Sequence, residues 1–375
     1  MIKKGHTEVA IIGSGIVGLA MAFELSRKGK NVTVFEKSAT PHGASVRNFG
    51  TIWPIGQKVE NYQMAIDSRN TWLELENLAN LQIDHCGSLH AAYHEDELAV
   101  LEEFVALSGN VYGARVVNAK DCKNLSDALI SKGLKGALYS ETELTVSSRQ
   151  VIPQLVRYLK EVMKVKFEFN TFISNVKMPV IQSAGRYWTV ERVFVCSGSD
   201  FEQLYPELYE MSGLHKCKLQ MMSATTKPAS WRLGPILCGG LTLRHYSSFM
   251  NCPSVEKITR RFNEEEPILA KYGIHIIVAQ NSDGQLIIGD SHEYDSDIDP
   301  FDKEEINDII VKYTRKLLDV PSLLIQERWH GLYLKHNVET EYVYNPEQSV
   351  TIVNGLGGAG MTLSFGLAKR IVGKE

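Results

Sequence analysis

Apolar residues follow three different patterns along this chain, and each predicts a different kind of element. In residues 8–37 the run Val9-Ala10-Ile11-Ile12 is continuous instead of alternating, as in a parallel strand buried on both faces. Leu19, Ala20, Ala22, Phe23 and Leu25 then fall at helical spacing up to a stop near Gly29, and Asn31-Val32-Thr33-Val34-Phe35 is a second buried strand. Helical spacing returns over 60–81, through Met64, Ile66, Trp72, Leu75 and Leu78, and again over 95–108 and 150–162. Ser147 or Ser148 can cap the last of these. Strand-like pieces lie at 87–93, 136–139, 144–146, 165–169 and 172–176, and Val193-Phe194-Val195-Cys196 runs into the turn Ser197-Gly198. Residues 219–224, 240–246, 274–280 and 284–292 alternate with the period of an antiparallel sheet, flanked by charged helices at 254–272 and 303–318. Strands at 325–336 and 350–353 precede a glycine-rich opening to the last helix.

Between the first strand and first helix stands Gly13-Ser14-Gly15-Ile16-Val17-Gly18. Alone, G-x-G-x-x-G is a weak signal shared by many glycine turns. Here it follows a strand, opens a helix and leads to a second strand ending at Glu36-Lys37, where a carboxylate can accept the hydroxyl protons of an adenosine ribose. The helix start directs its amides at a pyrophosphate. Glu36 would repel a 2'-phosphate, so a dinucleotide without one is expected. A second such start, Asn354-Gly355-Leu356-Gly357-Gly358-Ala359-Gly360-Met361-Thr362, lies near the other end of the chain. Two phosphate-type or anion-type helix starts fit one long two-ended cofactor better than a nicotinamide dinucleotide.

At 375 residues the chain predicts two units, or one interrupted by another. A formal net charge of -4 offers no general attraction to nucleic acid or to an anionic membrane. No run of 18 apolar residues predicts a membrane span. The first residues lead straight into a strand and leave no room for a secretory signal, and six scattered cysteines without a C-x-x-C pair read as thiols of a reducing cytoplasm. Neither a Ser-His-Asp order nor a metal-ligand spacing stands out, so no metal is expected.

The loop Gly43-Ala44-Ser45-Val46-Arg47-Asn48-Phe49-Gly50, with the two glycine-rich starts and the turn at 193–198, resembles the D-amino-acid oxidase, glycine oxidase and sarcosine oxidase superfamily of FAD enzymes. The resemblance covers 9–36, 43–50, 193–198 and 328–366. It implies an α/β fold with a mixed sheet: a Rossmann-like FAD-binding domain, its doubly wound parallel sheet discontinuous in sequence (1–84, 140–215 and 323–375), and an inserted α+β substrate domain on an antiparallel or mixed sheet (85–139 and 216–322). By resemblance, Ser45, Arg47, Asn48 and Gly50 lie along the pyrophosphate and flavin, and Ile173, Ser197 and Gly198 lie at the adenine side. Gly331, Gly357, Gly358, Gly360, Met361 and Thr362 lie at the flavin ring. Segments 220–222, 242–246, 288–294 and 328–331 resemble, within the superfamily, a bacterial clade associated with phosphonate catabolism. That clade implies oxidation of an aminophosphonate related to 2-aminoethylphosphonate.

Departures from the superfamily pattern change the expectation. No cysteine follows Cys252, and neither Arg47 nor Asn48 is histidine, so the usual covalent attachments are missing and non-covalent FAD is implied. The common Gly-x-Arg-Pro arginine is also missing, since Gly331 precedes Leu332-Tyr333-Leu334. Candidates for binding an anionic substrate tail are Arg244, His245, Tyr246, Arg328, His330, Tyr333, Lys335 and His336. The expected reaction takes hydride from the carbon beside a neutral amine, with oxygen or a quinone as final acceptor. A glycine, sarcosine or D-amino-acid oxidase, a flavin-bound protein without turnover, and a nicotinamide-dependent dehydrogenase are the alternatives.

Overall fold

The computed structural model describes residues 1–295 and 297–374. An eight-stranded sheet is organised around Ile2–Ile12. On one side this strand pairs in parallel with Val32–Phe35, which pairs in turn with Lys166–Glu168. On the other it pairs in parallel with Arg186–Val195, whose end pairs with Val350–Asn354. Ile11 thus sits between Val34 and Phe194 and is fully buried, which is why its surroundings in sequence are apolar without alternation. An antiparallel meander, Asn175–Lys177 and Val180–Ser183, extends the sheet from Arg186–Val195, and Tyr342–Glu347 closes an edge beside Val350–Asn354.

The helices Ile16–Arg27, Val59–Leu78, Ser148–Glu161 and Gly360–Val372 share one apolar core with this sheet. Phe365 meets Phe23 edge-on at 5.7 Å and Trp72 at 5.2 Å, and the Trp72 indole donates to Met361 O at 2.8 Å. Each such fully buried large side chain stabilises the fold by about 1.5–3 kcal/mol, so the two terminal regions are held together mainly by packing. That packing sets the last helix beside the first.

A nine-stranded sheet forms the second layer. Ser88–Ala92 lies between Ile236–Cys238, parallel to it, and Gly136–Ser140, antiparallel. Leu214–Thr225 pairs with both Leu286–Gly289 and Leu324–His336. The last of these was expected to belong with the cofactor half from residue 323 onward, yet it is hydrogen-bonded along its length into the second sheet.

Three local expectations change. Residues 240–246 are not a strand: Gly240–Leu243 is a short helix in which both leucines and Thr242 are buried, with the Thr242 hydroxyl donating to Ile276 O. Alternation over so few residues does not distinguish a strand from a fully enclosed turn of helix. The helix expected at 254–272 breaks at Glu266, because the residue before Pro267 is pushed out of helical geometry, giving Val255–Glu265 and Pro267–Lys271. Neither serine caps Ser148–Glu161 through its side chain; the Ser148 hydroxyl instead donates to Asn48 Oδ1 at 2.7 Å.

Candidate active site

The turn after the first strand is built on close approach. Gly13 has φ +105°, and a Cβ there would stand 2.3 Å from Cys196 O; a Cβ on Gly18 would stand 2.0 Å from Gly13 O. Side chains at these positions would push the helix off its strand. The Glu36 carboxylate is anchored on three donors: Ser14 N–H at 3.0 Å, Ser14 hydroxyl at 2.8 Å and Ser38 N–H at 2.9 Å. It lines a cavity of about 70 Å³ with Gly13, Lys37, Ile173, Ser197 and Leu204. Lys37 is paired with Asp200 at 2.6 Å.

A larger cavity of about 340 Å³ begins at Ile16, three residues along the same turn. Gly357, Gly358, Gly360, Met361 and Thr362 form one side of it, and Ser45, Arg47 and Asn48 another. The two helix starts meet here, since a Cβ on Gly360 would touch Ile16 Cγ2 at 3.4 Å. Ser45 Oγ accepts from Ile16 N–H at 2.8 Å, and Thr362 Oγ1 accepts from Trp53 N–H at 2.9 Å. The Asn48 amide donates to Ala44 O and Ser45 O and accepts from Gly50 N–H, which stiffens the loop that borders the cavity.

A further wall belongs to the second sheet, and its Tyr333 and Lys335 side chains stand beside Gly357 and Gly358. Along Leu324–His336 the two-residue period turns Gly331, Tyr333 and Lys335 into the cavity. Leu219 and Met221 come from the paired strand, and Trp53, Tyr246, His245, His275, Asp290 and His292 complete the wall. Burial pushes the Tyr246 and Tyr333 phenols well up, so both are hydroxyl donors at neutral pH. Burial, reinforced by the neighbouring rings, holds the His245 imidazole well below its ordinary value and His292 down to about 4; the Asp290 carboxylate opposes this only in part for His292. The Lys335 ammonium donates to the Tyr294 hydroxyl at 3.2 Å.

Comparison with known proteins gives the family. The sequence matches the family described as FAD dependent oxidoreductase (DAO) over residues 8–373. The chain belongs to that family. This DAO-family chain superposes on glycine oxidase from Geobacillus kaustophilus with a TM-score of 0.78 at 17% identity, covering 100% of this chain and 96% of that one. An FAD-bound L-alpha-glycerophosphate oxidase from Mycoplasma pneumoniae gives a TM-score of 0.74 at 16% identity, over 98% and 94% of the two chains. At these identities the likeness concerns the fold. Among curated relatives, the bifunctional protein MnmC of Vibrio campbellii, named for tRNA 5-methylaminomethyl-2-thiouridine biosynthesis, is 45% identical over 51 residues, 13% of this chain and 8% of that protein. The curated relatives it matches are covered by this chain over at most 20% of their length.

The residues of the DAO-family site fit FAD. One turn, from Gly13 to Ile16, leads from a carboxylate-lined cavity to a second cavity bordered by a glycine-rich helix start, and Trp53 Nε1 there is buried without a partner. Gly15, Val17, Gly18, Gly50 and Gly198 lie behind these surfaces; Gly50 backs onto Val146 O and Gly198 O accepts from Asn354.

The substrate-tail candidates divide. His245, Tyr246, Tyr333, Lys335 and His336 line the large cavity, although His336 Nδ1 is already taken by the Val338 and Glu339 N–H groups. Three others do not reach it. Arg328 and His330 point to the other face of their strand, where Arg328 meets Glu304 at 3.5 Å and His330 meets Asp302 at 3.0 Å. Arg244 leaves the short helix toward Phe262 and Asn263. Sequence reasoning missed Trp53, His275, Asp290 and His292. It also expected no metal-ligand group, whereas His245, His275 and His292 come together. The available signal was a histidine inside the apolar run Ile274-His275-Ile276 and the polar end of the strand at Asp290.

No helix among the described residues is long and apolar enough to cross a membrane.

Proposed function

We propose that this DAO-family oxidoreductase oxidises the C–N bond of a small amine carrying an anionic tail, an aminophosphonate related to 2-aminoethylphosphonate. The observation that supports this reading most directly is that the Tyr246 and Tyr333 phenols and the Lys335 side chain all line the cavity that Gly357 and Gly358 border. Three donors, one of them charged, suit an oxyanion better than an apolar group. We place FAD non-covalently, with Glu36 on the ribose, Ser45 and Ile16 at the phosphates, and the amides of 357–360 at the carbonyl edge of the ring. When bound, FAD accepts hydride from the carbon beside the nitrogen.

The chain's own residues prepare that transfer. Arg47, Lys58 and Lys335 border the cavity and lower the pKa of the substrate ammonium, which loses its proton to water and gains a lone pair. Lys335 and the two phenols fix the tail, and Met221, Leu219 and Trp53 exclude water from the reacting carbon. Loss of hydride from the neutral amine leaves an iminium ion, which water attacks and cleaves to an aldehyde and ammonia or an amine with release of a proton, and the two electrons pass to oxygen or a quinone. In this reading 85–139 and 216–322, with the strand Leu324–His336 that pairs into the same sheet, form the substrate domain, and six free cysteines accord with a reducing cytoplasm.

Anaerobic bleaching of the yellow protein tests it, using glycine, sarcosine, D-amino acids, 2-aminoethylphosphonate and its N-methyl and 1-hydroxy derivatives. Bleaching by the phosphonates is expected. Bleaching by carboxylates alone makes the chain a glycine, sarcosine or D-amino-acid oxidase, and colour that persists with every amine makes it a flavin-bound protein of another role.

A further inference from the structure

Three imidazoles and a carboxylate on the cavity wall have no part in the reaction just described. His245 follows the short helix Gly240–Leu243, His275 precedes the strand Ile277–Gln280, and Asp290 and His292 follow Leu286–Gly289. One nitrogen from each ring lies within 4.8 Å of one from each of the others. The backbone holds them in place: Asp290 N–H donates to His275 O at 2.9 Å, His275 N–H to Asp290 O at 3.2 Å, and His292 N–H to Tyr272 O at 2.8 Å.

The orientation of two of these groups is informative. His292 Nδ1 is 3.1 Å from Gly273 O, which can only accept, so Nδ1 carries the proton and Nε2 keeps its lone pair. That Nε2 lies 4.0 Å from Asp290 Oδ2. His275 Nε2 lies 2.9 Å from Asp290 Oδ1, while His275 Nδ1 is buried without a hydrogen-bond partner. In a tetrahedral site with bonds of about 2.0–2.1 Å, ligand atoms stand about 3.3 Å apart, within the span found here.

We propose that His245, His275 and His292 bind one divalent transition-metal ion of the zinc type on the wall facing the flavin site. Three neutral imidazoles are the donor chemistry of such ions. A protonated imidazole would neutralise Asp290 but leave two further imidazoles without a role, whereas one ion held by the three rings engages all of them and sets a positive charge near the buried Asp290 carboxylate. His245 is the least enclosed of them and borders the cavity, so the ion is reachable from it. Binding of the ion does not depend on which amine is oxidised.

Metal content of the purified flavoprotein, followed by calorimetric titration of the chelator-treated flavoprotein with zinc sulfate, tests the site. One ion per chain is expected. His275→Gln and His292→Gln should each weaken zinc by more than the roughly 10–100-fold that loss of an outer partner causes. The flavin absorbance of each variant reports that it has folded. Absence of stoichiometric zinc in the unaltered protein overturns the proposal without reference to any variant. So does zinc binding that both variants retain in full, or inorganic phosphate binding to the metal-free protein that is lost in the same variants.

Discussion

His90 lies in the middle of Ser88–Ala92 with no exposed surface, packed against Trp53 at 5.4 Å and Phe249 at 5.3 Å between ring centroids. Neither ring nitrogen has a hydrogen-bond partner. Burial alone pushes this imidazole down to about 3 from an ordinary value of 6.5. The folded protein therefore keeps His90 neutral at pH values where the unfolded chain protonates it. Between those two values the unfolded state binds the extra proton, so His90 removes stability as pH falls through 6.5 and goes on doing so until about 3. From about pH 7.5 to about pH 5 the fall below the unfolded value is roughly 1.5 units, or about 2 kcal/mol. His90→Leu, close in volume and without a titrating group, should lose about 2 kcal/mol less than the unaltered protein over the same interval. Urea denaturation of the two proteins at both pH values measures the difference directly, and in thermal unfolding a chain of this length would show it as about 2–3 °C. Parallel pH profiles for the two proteins would refute the claim that an unpaired neutral imidazole is buried at this position.

Glu36→Gln keeps the shape but removes the charge that accepts from Ser14 and Ser38 and that we place on the ribose, at about 1.5–3 kcal/mol for a charge-assisted bond. FAD titrated into the apoprotein should bind roughly 10–150-fold more weakly by flavin fluorescence, and an unchanged Kd would remove Glu36 from the cofactor site. Lys335→Met should raise KM for an anionic amine by about tenfold or more while leaving kcat for any neutral analogue within a factor of about two. Arg328→Met is the matched comparison: its guanidinium pairs with Glu304 at the surface, so steady-state kinetics should change by less than about twofold.

The two kinds of glycine-rich helix start could be read from the chain because their chemistry is local. A strand, a turn that tolerates no Cβ at Gly13 or Gly18, and a helix are consecutive in sequence, and the acid at Glu36 closes the unit within the next strand. That the two starts serve one cofactor was an inference from its length, and the structure brings Gly360 beside Ile16 where the Trp72–Phe365–Phe23 packing joins the first and last helices. The substrate wall is different, because its members are chosen by register. Arg328, His330, Tyr333 and Lys335 all have suitable chemistry, and only the parity of positions along one strand decides which pair reaches the cavity. Parity would have sorted Gly331, Tyr333 and Lys335 from Arg328 and His330 had Gly331 been used as the reference point.

The histidine group shows a harder limit. Its three members come from the end of a short helix misread as a strand, the start of one strand and the end of another, and no spacing in 245, 275 and 292 resembles a metal motif. A histidine between two isoleucines at 274–276 reads as a core residue, and His90 shows that this chain does bury such a residue without giving it a partner. What separates His275 from His90 is the company it keeps. His90 is surrounded by Trp53 and Phe249, while His275 has two imidazoles and a buried carboxylate within reach on a cavity wall. Antiparallel pairing of Ile277–Gln280 with Leu286–Gly289 brings His275 opposite Asp290, and the turn of Gly240–Leu243 delivers His245 onto the His275 and His292 rings. The chemistry is thus a property of the pairing, and it becomes visible only when the second sheet is assembled.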